Sequence, residues 1–255
     1  MTCKKFLPRE LLLLLICASA TVSGAQGTET DRFVPAIEAM KRSVTTLVCL
    51  TGTGPDAKGS AHLGTGFFVS AKGDFITAAH VIFADVDRGE SRCKYSAALL
   101  PHGRWTPEAP EEDFAWFEFK PSECKTMAAI DLVRCKLPDE SLVKRPSIRI
   151  EPVAFDENVP PDGSEVAFTG FPLSMRDPVT SLAIVATYRV ERRGTTTISR
   201  IVLDRSAWTG TSGSPVYLSN GRVIGVVVEK GTGEAEGITL VRPTHALHEI
   251  LEECK

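Results

Sequence analysis

Gly210-Thr211-Ser212-Gly213-Ser214-Pro215 places a serine between glycines just before the β-type run Pro215–Leu218. A glycine at 210 lets the backbone take conformations that other residues avoid and come close to a bound molecule. The amides of Gly210 and Ser212 can then converge on an oxygen that gains negative charge. By itself the string also reads as an ordinary Gly/Ser/Thr turn, so its weight depends on what else the chain holds.

Two other segments supply that weight. Thr77-Ala78-Ala79-His80 closes the apolar run Phe75-Ile76, and the alanines leave room beside the imidazole. Ile130-Asp131-Leu132-Val133 sets an acid between aliphatic residues, a costly position unless the carboxylate has a hydrogen-bond partner. The chain order is His80, Asp131, Ser212. An α/β-hydrolase requires Gly-x-Ser-x-Gly and the order Ser, Asp, His. Here Ser214 stands two residues after Ser212, and the order is different.

Around these segments the hydrophobic pattern is that of short strands. The first set is Val44–Leu50, Gly66–Ser70, Phe75–Ala78, Ala97–Leu100, Phe114–Phe119 and Asp131–Leu137. The second is Glu165–Thr169, Leu182–Val190, Thr197–Leu203, Pro215–Leu218, Val223–Val228 and Ile238–Val241. Turn residues such as Lys72-Gly73-Asp74 and Pro107 to Pro110 separate them, and no long helical period intervenes. Helical spacing occurs only near the ends, at 32–42 and from His245 to Cys254. The expectation is an all-β protein of two six-stranded antiparallel barrels with a cleft between them, a short N-terminal helix and a C-terminal helix. His80 and Asp131 fall in the first half and Ser212 in the second.

Five segments follow. Residues 1–25 read as a secretory signal peptide: Lys4, Lys5 and Arg9 precede the apolar run from Leu11, and small residues reach Ala25. That run is shorter than the ~20 residues a membrane span needs. Residues 26–43 form an N-terminal segment with the short helix, 44–140 the first barrel, 141–163 a Pro-rich charged linker, and 164–255 the second barrel and terminal helix. The expected location is secreted or periplasmic, with no stable membrane insertion after cleavage.

Composition narrows the classes. The 255 residues are 43% hydrophobic and 24% charged, with formal net charge −3, which is globular rather than disordered. Cleavage after Ala25 removes Lys4, Lys5, Arg9 and Glu10, a net +2, and leaves −5. That balance disfavours nucleic acid as a partner. Beyond the signal lie Cys49, Cys93, Cys124, Cys135 and Cys254, an odd number that allows at most two internal disulfides without fixing their pairing. No Cys/His cluster has zinc spacing, so no metal or other cofactor is expected. The acidic run Glu108 to Asp113 reads as a solvated loop, Trp105 as a packing residue, and His62 and His102 as surface or packing residues.

The combination resembles the trypsin-like serine proteases of the chymotrypsin superfamily, in particular the bacterial subset that includes the HtrA-like enzymes. The resemblance runs from Gly64-Thr65-Gly66-Phe67-Phe68 through His80 and Asp131-Leu132-Val133. It continues at Val166-Ala167-Phe168-Thr169-Gly170-Phe171-Pro172, the serine string and Val223-Ile224-Gly225-Val226. It implies Ser212 as nucleophile, His80 as general base then acid, and Asp131 as the group that fixes the imidazole tautomer. It also implies an oxyanion hole from the Gly210 and Ser212 amides. Ser206, Ala207, Trp208, Val226, Val227 and Val228 would wall the pocket for the residue before the cut bond, an apolar pocket with Glu229 near its mouth. Protein or peptide substrates follow. The alternative is a non-catalytic peptide-binding protein of the same fold. Thr211 stands where the digestive branch has an acid, so no freed N-terminus is expected to organise the site. The chain after Ser212 completes a barrel and a helix, so no PDZ domain is expected.

Overall fold

The computed structural model describes residues 32–53, 58–101, 114–138, 148–193, 196–231 and 236–251. The signal segment, the Pro107–Pro110 turn, the Glu108–Asp113 run, His102, Trp105, Cys254 and the start of the linker lie outside the described residues.

Helix α1 (Val34–Lys41) opens with Pro35 in its first turn, where the missing N–H costs nothing. It buries Ala36 and Met40. The first half then builds β1 (Val44–Leu50), β2 (Gly59–Phe68), β3 (Asp74–Ala78), α2 (Ala79–Ile82), β4 (Phe83–Asp85), β5 (Glu90–Ser91), β6 (Ser96–Pro101), β7 (Phe114–Phe119), β8 (Lys125–Met127) and β9 (Leu132–Lys136). The second half holds β10 (Glu165–Gly170), β11 (Val179–Arg193), β12 (Thr196–Leu203), β13 (Pro215–Tyr217), β14 (Val223–Lys230) and β15 (Thr239–Pro243). A 3₁₀ turn (Thr244–Leu247) and α3 (His248–Leu251) close the described chain.

The expected all-β architecture is present. The second half is a closed barrel in the order β10-β11-β12-β15-β14-β13. Val166, Phe168, Val185, Ile201, Val216, Val227 and Val241 fill it. The first half is a seven-stranded sheet, β7-β6-β1-β2-β3-β9-β8, one strand more than expected. The added β8 is three residues long and carries no alternation of its own; pairing of Lys125 with Arg134 and Met127 with Leu132 makes it a strand. Longer strands than expected arise the same way. β2 begins at Gly59, where its first residues are exposed, and polar Arg192 and Arg193 extend β11 by pairing with Thr197 and Thr196.

Several contacts cross between the halves. Extended chain at 153–156 hydrogen-bonds both Phe68 and Val223. Arg134 of β9 donates to the Ile250 carbonyl of α3 at 2.7 Å. Arg242 of β15 donates to the Ile130 carbonyl at 2.7 Å. Within the second barrel, the Tyr217 hydroxyl lies 2.7 Å from Thr169 Oγ1, and burial pushes its phenol up to about 12.

Cysteine pairing, which the sequence leaves open, is Cys49–Cys93 and Cys124–Cys135. Both bridges lie in the first half. They close loops of sequence separation 44 and 11, so loop-closure entropy assigns about 4 and about 3 kcal/mol respectively. Replacing Cys49 and Cys93 with serine is expected to lower the urea-unfolding free energy more than the same change at Cys124 and Cys135. Equal or reversed losses would show that loop closure does not govern their contribution.

Candidate active site

β3 ends at Ala78 and the chain turns at once into α2, so His80 projects from the end of a fully buried strand. Asp131 sits on the turn before β9 in left-handed backbone, φ 58° and ψ 44°, a conformation that aspartate tolerates better than most residues. The β3–β9 pairing brings the two together. Asp131 Oδ2 lies 2.6 Å from His80 Nδ1, and Oδ1 accepts the His80 backbone N–H at 2.9 Å. In return, the Ala79 N–H donates to the Asp131 carbonyl at 3.0 Å. A carboxylate gripped at both oxygens holds the ring with its proton on Nδ1 and leaves Nε2 as the acceptor.

The serine loop is held by backbone on each side. The Thr211 N–H and its Oγ1–H both donate to the Trp208 carbonyl, at 3.1 and 2.6 Å. The Gly213 N–H donates to Val227 O, and the Val227 N–H to Ser214 O. Gly210 (φ 96°) and Gly213 (φ 86°) are in backbone conformations that disfavour side chains. A Cβ on Gly210 would stand 2.4 Å from the Phe171 carbonyl oxygen, and one on Gly213 2.0 Å from that of Thr65. Among the described residues the Gly210 and Ser212 N–H groups donate to nothing within the chain. Two neighbouring amides without internal partners, beside a half-buried serine hydroxyl, form an anion-accepting corner. The Ser214 hydroxyl is buried and makes no hydrogen bond.

Thr65 of β2 ties this loop to the first half. Its N–H donates to Ser212 O at 2.9 Å, and its Oγ1–H to Gly210 O at 2.9 Å. Its Oγ1 accepts the Phe171 N–H at 3.0 Å, and its carbonyl accepts Thr77 Oγ1–H at 2.6 Å. The sequence shows Thr65 only as the middle of a Gly-Thr-Gly string; its role depends on contacts 145 residues away.

His80, Asp131, Gly210 and Ser212 line one cleft of about 700 Å³. Of the pocket residues inferred from sequence, Ala207, Trp208, Val227 and Val228 line it, as does Glu229. Ser206 and Val226 do not; Val226 is fully buried in the larger hydrophobic core with Tyr217 and Val223. The cleft also takes in His62, Arg200 and Arg242, which sequence reading did not assign to it. His62, expected as a surface or packing residue, is half-buried and packs against Gly210, with Nε2 buried and unpartnered. Arg200 and Arg242 lie on strands whose alternation does not tell the cleft face from the core face.

No group of three or more potential metal ligands occurs among the described residues. No helix among them is long and apolar enough to cross a membrane.

A family model described as a trypsin-like peptidase domain matches residues 64–226. No curated protein matches the chain. Among solved structures, the Rv3671c protease of M. tuberculosis in its active form is similar, with TM-score 0.63, 15% identity, and 99% of this chain and 93% of that one covered. The MamO protease domain of Magnetospirillum magneticum gives TM-score 0.60 at 16% identity, covering 84% of this chain and 98% of its own. The HtrA-type protease AlgW with decapeptide gives 0.64 at 15%, covering 87% and 66%. At these identities the likeness is one of fold.

Thr65→Val keeps the shape and removes the hydroxyl that serves Gly210 O and the Phe171 N–H. Each orphaned buried group costs about 1–3 kcal/mol, so a clear fall in Tm is expected, together with slower reaction at Ser212. Unchanged stability would show that the loop does not lean on Thr65. A pH effect follows from His62, whose imidazole burial holds below the ordinary 6.5. The unfolded chain then binds this proton more readily, so stability rises with pH through 6.5 and falls below it. His62→Gln should flatten that part of the stability–pH curve; an unaltered curve would contradict this.

Proposed function

The chain belongs to the trypsin-like peptidase family, and from that premise we propose that it is a serine endopeptidase acting through an acyl-enzyme. The observation that carries the reading is the carboxylate-fixed His80 ring in the same cleft as Ser212 and the two unpaired amides.

Asp131 keeps the proton on His80 Nδ1, so Nε2 can accept the proton of Ser212 Oγ as that oxygen attacks the peptide carbonyl. The carbonyl oxygen becomes negative and is received by the Gly210 and Ser212 N–H groups. The protonated ring then gives its proton to the departing amine, which breaks the C–N bond and leaves an ester on Ser212. Water, deprotonated by the same Nε2, attacks the ester and restores the serine. Asp131 stays ionised throughout. No hydrogen bond joins Ser212 Oγ to the ring in this structure; such contacts often tighten only when substrate binds.

The substrate is a peptide in extended form. Beyond Val226, β14 leaves its pairing with β13, and the edge at Val228–Glu229 faces the cleft. A peptide can add there as a further strand. A secreted or periplasmic location belongs to the same reading, supported by two disulfides, a feature common in oxidising compartments and rare in the cytosol.

Ser212→Ala should preserve the fold and reduce kcat by on the order of 10⁶, and Asp131→Asn by on the order of 10⁴ with KM little changed. Single-turnover hydrolysis of a peptide library measures both. An alanine variant that cuts as fast as the parent would contradict the assignment of the nucleophile, and a folded parent that cuts nothing would favour the peptide-binding alternative.

A further inference from the structure

Arg200 is nine-tenths buried, yet it lines the cleft. Its Nη1 donates to Glu191 Oε2 at 2.6 Å, and Glu191 is partly exposed. Its Nε–H is buried with no partner, and no hydrogen bond of Nη2 occurs among the described residues. An unpaired guanidinium N–H out of water is expensive. A guanidinium carries five N–H donors and Glu191 takes one of them, so the side chain has capacity for a second carboxylate.

A second cation lies beside it. β12 and β15 pair Ile201 with Val241, and Arg200 and Arg242 are the next residues along these two strands, both lining the cleft. Arg242 is anchored by Nε to Ile130 O and by Nη1 to Ser199 O. Two guanidinium groups on one wall favour an anion on that side of the cleft.

We propose that the cleft selects peptides with an acidic side chain on the acyl side of the cut bond, at the second or fourth residue before it, and that Arg200 receives the carboxylate. The proposal rests on the peptidase reading above. Its placement follows from strand alternation. A peptide along Val228–Glu229 turns the side chain of its last residue (P1) toward the Ala207–Trp208 wall. P2 and P4 then face the other way, toward Ala128, Ala129 and the arginine wall next to Asp131.

Matched peptides carrying Asp, Asn or Ala in turn at P1 to P4 test this with the whole protein. The Asp/Asn ratio of kcat/KM at P2 or P4 should be roughly ten- to hundredfold. Arg200→Gln should bring it near one, Arg200→Lys should recover part of it, and Glu191→Gln should raise it by removing the competing carboxylate. A ratio of one or less at both positions in the parent, or an acidic preference confined to P1, overturns the proposal without any variant. So does an unchanged ratio in an Arg200→Gln protein of parental Tm. Absence of any Ser212-dependent cleavage overturns the peptidase reading instead, and is distinct from each of these.

Discussion

The hydrogen bonds that Thr65 makes across the seam between the halves are the constraint on which the rest depends. The serine loop belongs to the second barrel and the imidazole to the first sheet. Thr65 touches both: its N–H and hydroxyl hold the carbonyls of Ser212 and Gly210, and its carbonyl takes the Thr77 hydroxyl on the strand that ends at His80. Holding the Gly210 and Ser212 carbonyls fixes the peptide planes that carry the Thr211 and Gly213 amides, which donate to Trp208 O and Val227 O. The two positive-φ glycines make the turn possible, and the close approach of the Phe171 and Thr65 carbonyls leaves no space for side chains there. One threonine thus couples loop shape, the seam and the strand that ends at His80.

Elements whose own residues carry the signal were legible in the sequence. β1 and β7 occupy Val44–Leu50 and Phe114–Phe119 as read, because runs of β-branched and aromatic residues sit where burial is greatest. The elements missed, β4, β5 and β8, are two or three residues long and exist through their partners. Asp131 shows the same limit on a finer scale: the sequence marks an acid at a strand start, but its left-handed turn and its double grip on His80 are tertiary facts. Ser206 and Val226 stand beside cleft residues in the sequence, but Val226 is fully buried in the core, which nearness in sequence does not reveal.

Within the cleft, residues near one another in sequence were easier to find than residues on facing strands. His62, Arg200 and Arg242 come from β2, β12 and β15 and meet only because the barrel closes and the sheet packs against it. The polar groups there that lack partners, His62 Nε2 and Arg200 Nε, are the places where the fold leaves hydrogen-bonding capacity unused. Local motifs therefore mark His80, Asp131 and Ser212, whereas the other polar residues of the cleft depend on tertiary pairing that no motif records.

Whether Ser212 is an activated nucleophile is tested most directly by reaction with a fluorophosphonate, followed by mass mapping of the modified residue. The account predicts stoichiometric labelling at Ser212 in the folded protein, abolished by His80→Ala. A folded protein that stays unlabelled, or one labelled elsewhere with Ser212 untouched, would contradict it.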